Sequence, residues 1–197
     1  MRLVEFLNEN KRIDVIIKTL KRDCSIFLKE IKGSQRFLFR GIEDTPEIKA
    51  SVRGDIFLRK SRISSGRKPL SMRQKLHDIL NRIFYKKFGW NVRDGVFVTS
   101  QYGVADTYGH PWIFFPKGSY KYAWSPNAYD LFAKLPHHRY DELPLDIEEI
   151  LEEELRHYKD NDLKTPINQY REISFNCEEY YLVNSQWQET DLKEILK

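Results

Sequence analysis

Three short stretches, far apart in the chain, hold residue types that could act on a phosphorylated sugar. Phe39-Arg40-Gly41 sets a guanidinium among aromatic residues and follows it with a glycine. A charge in such surroundings is costly to desolvate unless it meets an anion. The guanidinium fork matches phosphate oxygens, and a glycine lets a ligand approach the backbone. The same tripeptide also fits an ordinary strand end, with Arg40 in a salt bridge and Gly41 in a turn. Phe97-Val-Thr-Ser100, with Ala105 and Tyr108 downstream, offers paired hydroxyls that can hold a sugar or orient a carboxylate. Strand propensity for Thr99 and a helix cap by Ser100 account for that motif equally well. Cys177-Glu-Glu-Tyr-Tyr-Leu-Val183 opens an apolar strand with two acids. If the strand alternates, one of Glu178 and Glu179 points inward; the plain alternative is that both face solvent.

These groups need a scaffold, and the pattern supplies a mixed one. Val4, Leu7, Ile13, Ile16, Ile17, Leu20 and Cys24 recur on one helical face, giving one or two helices over Leu3–Ile31 that stop near Lys32-Gly33-Ser34. Arg36–Gly41 reads as a short strand, Asp44-Thr-Pro46 as a turn, Asp55–Arg59 as a strand and Ser64–Pro69 as a loop. Ser71 caps a helix over Met72–Phe88 whose buried stripe is Leu76, Ile79, Leu80, Ile83 and Phe84, and Gly89 ends it. Gly95–Ser100 is a strand and Tyr102–Tyr108 a short helix. Pro111–Pro116 and Ser119–Trp124 form a strand pair around Lys117-Gly118. Asn127–Leu135 and Asp146–Tyr158 are helices, Glu172–Val183 is one strand, and Asp191–Leu196 is a last turn of helix. Helices lead and short strands dominate the middle and end, with no βαβ rhythm and no internal repeat.

Composition bounds the class. The chain has 197 residues, 41% hydrophobic and 31% charged, which suits one globular domain: a helical region over 1–34 and a mixed core over 35–197. Aromatic residues reach 14%, enough for a dense core, a ring-lined pocket, or both. Two cysteines, Cys24 and Cys177, make no disulfide framework and fit a reduced compartment. The N-terminus has no apolar signal region and no stretch is long enough to span a bilayer, so the expected location is the cytoplasm. The net charge of +4 is unevenly spread: Arg53–Lys87 is basic, and Asp141–Asp162 is acidic.

The order of an Arg-Gly strand, a Phe-x-Thr-Ser strand with a downstream Ala-x-x-Tyr helix, and a Glu-bearing strand near the C-terminus resembles the Arg-Ser-Glu class of mono-ADP-ribosyltransferases, the cholera-toxin-like branch. The Phe-Arg-Gly tripeptide also resembles the small domain family named for that motif. In the transferase family the first strand carries Arg-Gly and the second Ser-Thr-Ser, and the catalytic Glu stands two residues after a Gln or Glu. Arg40 and Gly41 match the first motif. Thr99 and Ser100 match the last two positions of the second, with Val98 in place of its first serine. Glu179 best matches the third, since Tyr180-Tyr-Leu-Val continues as an apolar strand. Cys177 then stands where arginine-modifying relatives have Glu or Gln; were Glu178 the acid, Asn176 would stand there.

The resemblance covers roughly residues 36–183 and implies an α+β fold, an ADP-ribosyltransferase-like split β-sandwich of short strands with N-terminal helices. It implies an NAD-cleaving glycosyltransferase that moves ADP-ribose to a macromolecular target, a protein, as phage or bacterial effectors of this class do. Glu179, or Glu178, would stabilise the oxocarbenium-like ribose, as carboxylates do in glycoside hydrolysis. Arg40 would bind NAD phosphate or ribose oxygens, and the Gly41 backbone would fix the nicotinamide amide. Ser100 with Thr99 would orient the acid, and Tyr108 or Trp112 would stack on the nicotinamide ring.

A second reading belongs to a different class. The basic stretch over 53–87, with Trp90, Tyr102 and Trp112 as stacking surfaces, would make a non-catalytic nucleic-acid- or protein-binding domain. A third is an assembly protein on a scaffold that has lost its activity. No Walker loop or dinucleotide-fold glycine fingerprint is present, His137-His138 lacks partners at metal-ligand spacing, and no Cys–His nucleophile signature stands out, so no metal is expected.

Overall fold

The computed structural model describes residues 3–43, 55–63, 69, 72–128, 146–189 and 191–197. The N-terminal helical periodicity becomes α1 (Leu3–Asp23) and α2 (Ser25–Glu30), broken at Cys24. Ile13, Ile16, Leu20, Cys24 and Phe27 are all buried, so the stripe read from the sequence is the face that packs. Among the described residues seven strands follow: β1 (Phe39–Ile42), β2 (Ile56–Lys60), β3 (Val96–Val98), β4 (His110–Pro116), β5 (Lys121–Trp124), β6 (Ile173–Asn176) and β7 (Glu179–Asn184). Between them lie α3 (Gln74–Phe88), α4 (Tyr102–Asp106), α5 (Ile147–Leu155) and α6 (Lys164–Asn168), the last without a clear sequence signal. Gly89 stops α3 with a left-handed φ of 71°.

The strands make two antiparallel sheets, ordered β1-β4-β7-β2 and β3-β6-β5. A single bridge joins them, where Phe39 and Thr99 exchange backbone hydrogen bonds of 2.6 and 3.0 Å. The architecture is therefore α+β with two antiparallel sheets.

Two strand expectations are corrected here. The segments on either side of Lys117-Gly118 do not pair with each other: β4 belongs to the four-stranded sheet and β5 to the three-stranded one. The single strand expected over Glu172–Val183 is two strands, broken at Cys177-Glu178, again one in each sheet. Both errors share a cause. Alternating apolar residues look the same whether they line one core or switch between two, and only the partner strands decide. The two crossings lie side by side, since the Lys117 N–H donates to the Glu179 carbonyl at 3.0 Å. Gly118, at φ 68°, makes one of the turns.

Register sorts the four-stranded sheet into two faces. Arg40, Trp112 and Asn184 are direct partners across β1, β4 and β7 and so share one face, together with Phe114, Leu182, Tyr180 and Phe57. That face looks toward the three-stranded sheet, with Phe114 5.1 Å from Phe175 of β6 between ring centres. The opposite face carries helices. Phe115 meets Phe27 of α2, Tyr181 donates to Asp23 at the end of α1, and Phe39 meets Tyr102 of α4.

A second cluster, including Leu76, Leu80, Phe84, Trp90, Ala123, Leu151 and Leu155, packs α3 and α5 together beside the three-stranded sheet. Its rim joins the basic and acidic runs of the sequence. Arg82 and Lys86 hold Glu148 at 2.7 and 3.4 Å, and Lys86 also reaches Glu152. Lys87 donates to the carbonyls of Leu155 and Arg156 at the end of α5, where a cation complements the helix dipole. Arg82, then Lys86, holds the Glu148 carboxyl below its usual range. A depressed pKa stabilises the fold above the unfolded-state value and is lost as pH falls through the folded one. Thermal melts should therefore lose a salt-sensitive contribution on acidification into the carboxylate range, and Glu148→Gln should remove that dependence.

The Asp44-Thr-Pro46 turn, the Ser64–Lys68 part of the loop, Ser71, most of the Asn127–Leu135 helix and His137-His138 lie outside the described residues.

Candidate functional site

Arg40 is the centre of the site. Its strand is short because Gly41 lets α4 pack directly on it: a Cβ at Gly41 would lie 1.9 Å from the Ala105 carbonyl oxygen. Arg40 points the other way, into the space between the two sheets. One guanidinium nitrogen donates to the Phe97 carbonyl of β3 at 3.2 Å, and the group lies 5.8 Å from the Tyr180 ring centre. Its Nε is sealed from solvent and has no acceptor, although the residue keeps part of its surface open. A buried donor without a partner costs about 1–3 kcal/mol, and more when charged. Burial pushes the Arg40 pKa down, and the charges of Arg59 and Arg62 push the same way against Tyr180 and Cys177; none of these is a carboxylate. The protein thus holds a cation in a poorly solvated seam among like charges, an arrangement completed by an anion.

Arg40 has company on its face. Trp112, its direct cross-strand partner, is wholly buried, and its Nε1 also lacks an acceptor. His110, two residues away on β4, has a buried Nε2 in the same condition. The two rings meet edge to face at 5.4 Å, and Phe57 meets the indole edge to face at 4.8 Å.

The other expected residues are distributed differently. Tyr108 is 61% exposed and borders Gly41, so a ring at that position could lie against a bound group. Thr99 is tied by its backbone to Phe39, and its hydroxyl accepts from the Gln101 N–H. Ser100 is buried, its hydroxyl donated to the Ile167 carbonyl at 2.5 Å, and is not aimed at an acid. Trp112 has no open ring face, which corrects its expected role as a stacking platform.

The acid pair is the main correction. Glu179 lies five residues from Asn184 on β7, an odd step, so it faces the opposite side of the sheet from Arg40. There it pairs with Lys117 at 2.6 Å across the two crossings. Glu178 is exposed, and its carbonyl accepts from Ser61. Neither carboxylate shares the seam with Arg40.

A carboxylate the sequence reading did not single out, Glu172, lies behind Phe97: three residues from Phe175, an odd step, it faces the side of the three-stranded sheet turned away from Arg40. The Phe97 carbonyl takes the Arg40 hydrogen bond, Arg93 covers the Phe97 ring at 4.5 Å, and Glu172 stands 3.8 Å from Arg93. The register of β3 on β6, carried one residue past Val98 and Ile173, sets Glu172 across from Thr99. It is a quarter exposed. The Glu172-Ile-Ser-Phe alternation was visible in the sequence, but reading it as the start of one long strand hid its position at a strand mouth.

The basic stretch is divided too. Arg82, Lys86 and Lys87 are engaged by α5, so three cations of the helical half of that stretch already have partners. Burial pushes the thiols of Cys24 and Cys177 up to about 12, with the Arg40 charge opposing it at Cys177; both stay protonated at neutral pH, which argues against either as a nucleophile. Among the described residues no group of three His, Cys, Asp or Glu side chains is arranged to hold a metal, and no helix is long and apolar enough to cross a membrane. Comparison of the chain with family models, curated proteins and solved structures finds no match.

Proposed function

We propose that this protein binds a phosphate-bearing nucleotide at Arg40, in the seam between its sheets, and that the nucleotide is NAD, cleaved in mono-ADP-ribosyl transfer to a macromolecule. The observation that carries the reading is the Arg40 guanidinium, partly buried and lacking both a carboxylate partner and an acceptor for its Nε. An anionic ligand supplies what the fold withholds. The choice of NAD rests on the resemblance carried by Arg40-Gly41 and Thr99-Ser100 and on the exposed Tyr108 beside Gly41.

In that reaction the bond between the ribose carbon and the nicotinamide nitrogen breaks, and nicotinamide leaves neutral with the bonding pair. The acceptor atom then bonds to the ribose carbon and gives up a proton. The cationic ribose in between needs a nearby negative charge.

Nicotinamide release from NAD, with a cell lysate as target, tests the reading. Arg40→Ala should lower kcat/KM by about 100-fold or more, the usual loss when a preorganised group stabilising transition-state charge is removed. Glu179→Gln should retain full release and cost little stability, since its ion pair with Lys117 is about a third exposed and screened by solvent. Wild-type protein that releases no nicotinamide would overturn the transferase reading; loss of release in Glu179→Gln would return the acid to β7.

A further inference from the structure

Two more buried nitrogens beside Arg40 await acceptors. Trp112 Nε1 and His110 Nε2 lie on the Arg40 face of the sheet, on the neighbouring strand, and neither has a hydrogen-bond partner. The contrast within the protein is direct. The buried indoles of Trp124 and Trp187 do have acceptors, at Asn161 O (2.8 Å) and Asp55 (3.3 Å). Trp112, with no exposure at all, is left without one.

The geometry around these groups holds them in place. His110 and Phe57 both meet the Trp112 ring nearly at right angles, at 77° and 81°, which fixes the plane of the indole. Gly109 sets His110 at the start of β4. A Cβ there would lie 2.4 Å from the Ile42 backbone, and its φ is 116°, so no bulkier residue could bring β4 this close to the end of β1. An indole N–H only donates, and imidazole Nε2 donates in one neutral tautomer and when protonated. With Arg40, the face therefore presents three donors, and the fitting ligand group is rich in acceptors and carries more than one anionic centre.

We propose that Trp112 and His110 form a second phosphate subsite beside Arg40, so that the site selects a diphosphate over a single phosphate. The proposal rests on Arg40 as the anion anchor but not on NAD cleavage. A diphosphate could arrive as free pyrophosphate, a nucleoside diphosphate or a dinucleotide, and the same donors would meet each.

Calorimetric titration of the full chain with inorganic pyrophosphate and orthophosphate tests this, with ADP and NAD as separate arms to identify the source. Wild type should bind pyrophosphate about tenfold more tightly than orthophosphate, a difference of roughly 1.4 kcal/mol. Trp112→Phe and His110→Phe, which keep a ring but no N–H donor, should each erase most of that preference while leaving orthophosphate binding within about twofold. Arg40→Gln should lose both ligands, and thermal melts confirm folding of each variant. Wild type without a pyrophosphate preference, or a preference intact in both Trp112→Phe and His110→Phe, overturns the subsite. Pyrophosphate selection without nicotinamide release leaves the subsite standing and the transferase reading fallen. Nicotinamide release with unselective phosphate binding does the reverse.

Discussion

Replacing Arg40 with methionine should make the protein more stable and at once abolish its binding of phosphate ligands. The guanidinium sits between the two sheets with one carbonyl partner and an Nε that has none. Buried charges without good compensation are often worse for folding than apolar side chains of similar length, by about 1–4 kcal/mol. Methionine keeps the reach and packs against Tyr180 and the neighbouring β4 residues without a charge to desolvate. A gain of that size should raise the melting temperature by roughly 2–4 °C for each kcal/mol in a domain this large. NAD or pyrophosphate should then cause no further thermal shift. A melting temperature that falls on this substitution would mean the guanidinium is well satisfied by the fold, and the case for an anion site would be lost. Functional sites are where a fold tolerates such local cost, because the ligand and not the fold completes the interaction.

The second large effect lies at two glycines that press β1 into place. A Cβ on Gly41 would meet the Ala105 carbonyl oxygen at 1.9 Å, and one on Gly109 would meet the Ile42 backbone at 2.4 Å while holding a φ of 116°. In both cases the obstructing atoms are main chain and cannot rotate aside. Gly41→Ala and Gly109→Ala should each destabilise by about 2–4 kcal/mol, since overpacking and a strained φ both contribute. Melting temperatures should drop by roughly 5–15 °C. Gly103→Ala is the internal control. It lies in α4 with open space around it, so the substitution should be neutral or add up to about 1 kcal/mol of helix stability. Equal effects at all three positions would show that the close approach of α4 and β4 to β1 is not what holds Arg40 in the seam.

Little of the helical scaffold was hidden. The buried stripe of α1 and the face of α3 follow from residue spacing, because a helix repeats its own geometry without reference to the rest of the chain. Glycine stops after α2 and α3 were equally legible, and so was the joining of aromatic and charged residues at Phe39-Arg40-Gly41. Sheets are different. Alternation in Glu172–Val183 and around Lys117-Gly118 fixes which residues share a side of the chain, not which sheet the chain belongs to.

The candidate site was lost at that point. Three motifs in the right order say nothing about parity, and a β7 register that pairs Trp112 with Asn184 turns Glu179 away from Arg40. The same register leaves Trp112 and His110 beside Arg40, where the sequence pattern gives Trp112 a stacking role and leaves His110 just ahead of the Pro111–Pro116 strand. Residue types alone singled out Arg40 as the candidate anion-holding group. Hydrogen bonding between strands far apart in the chain decided which groups accompany it, because those contacts depend on partner and register rather than on any local run of residues.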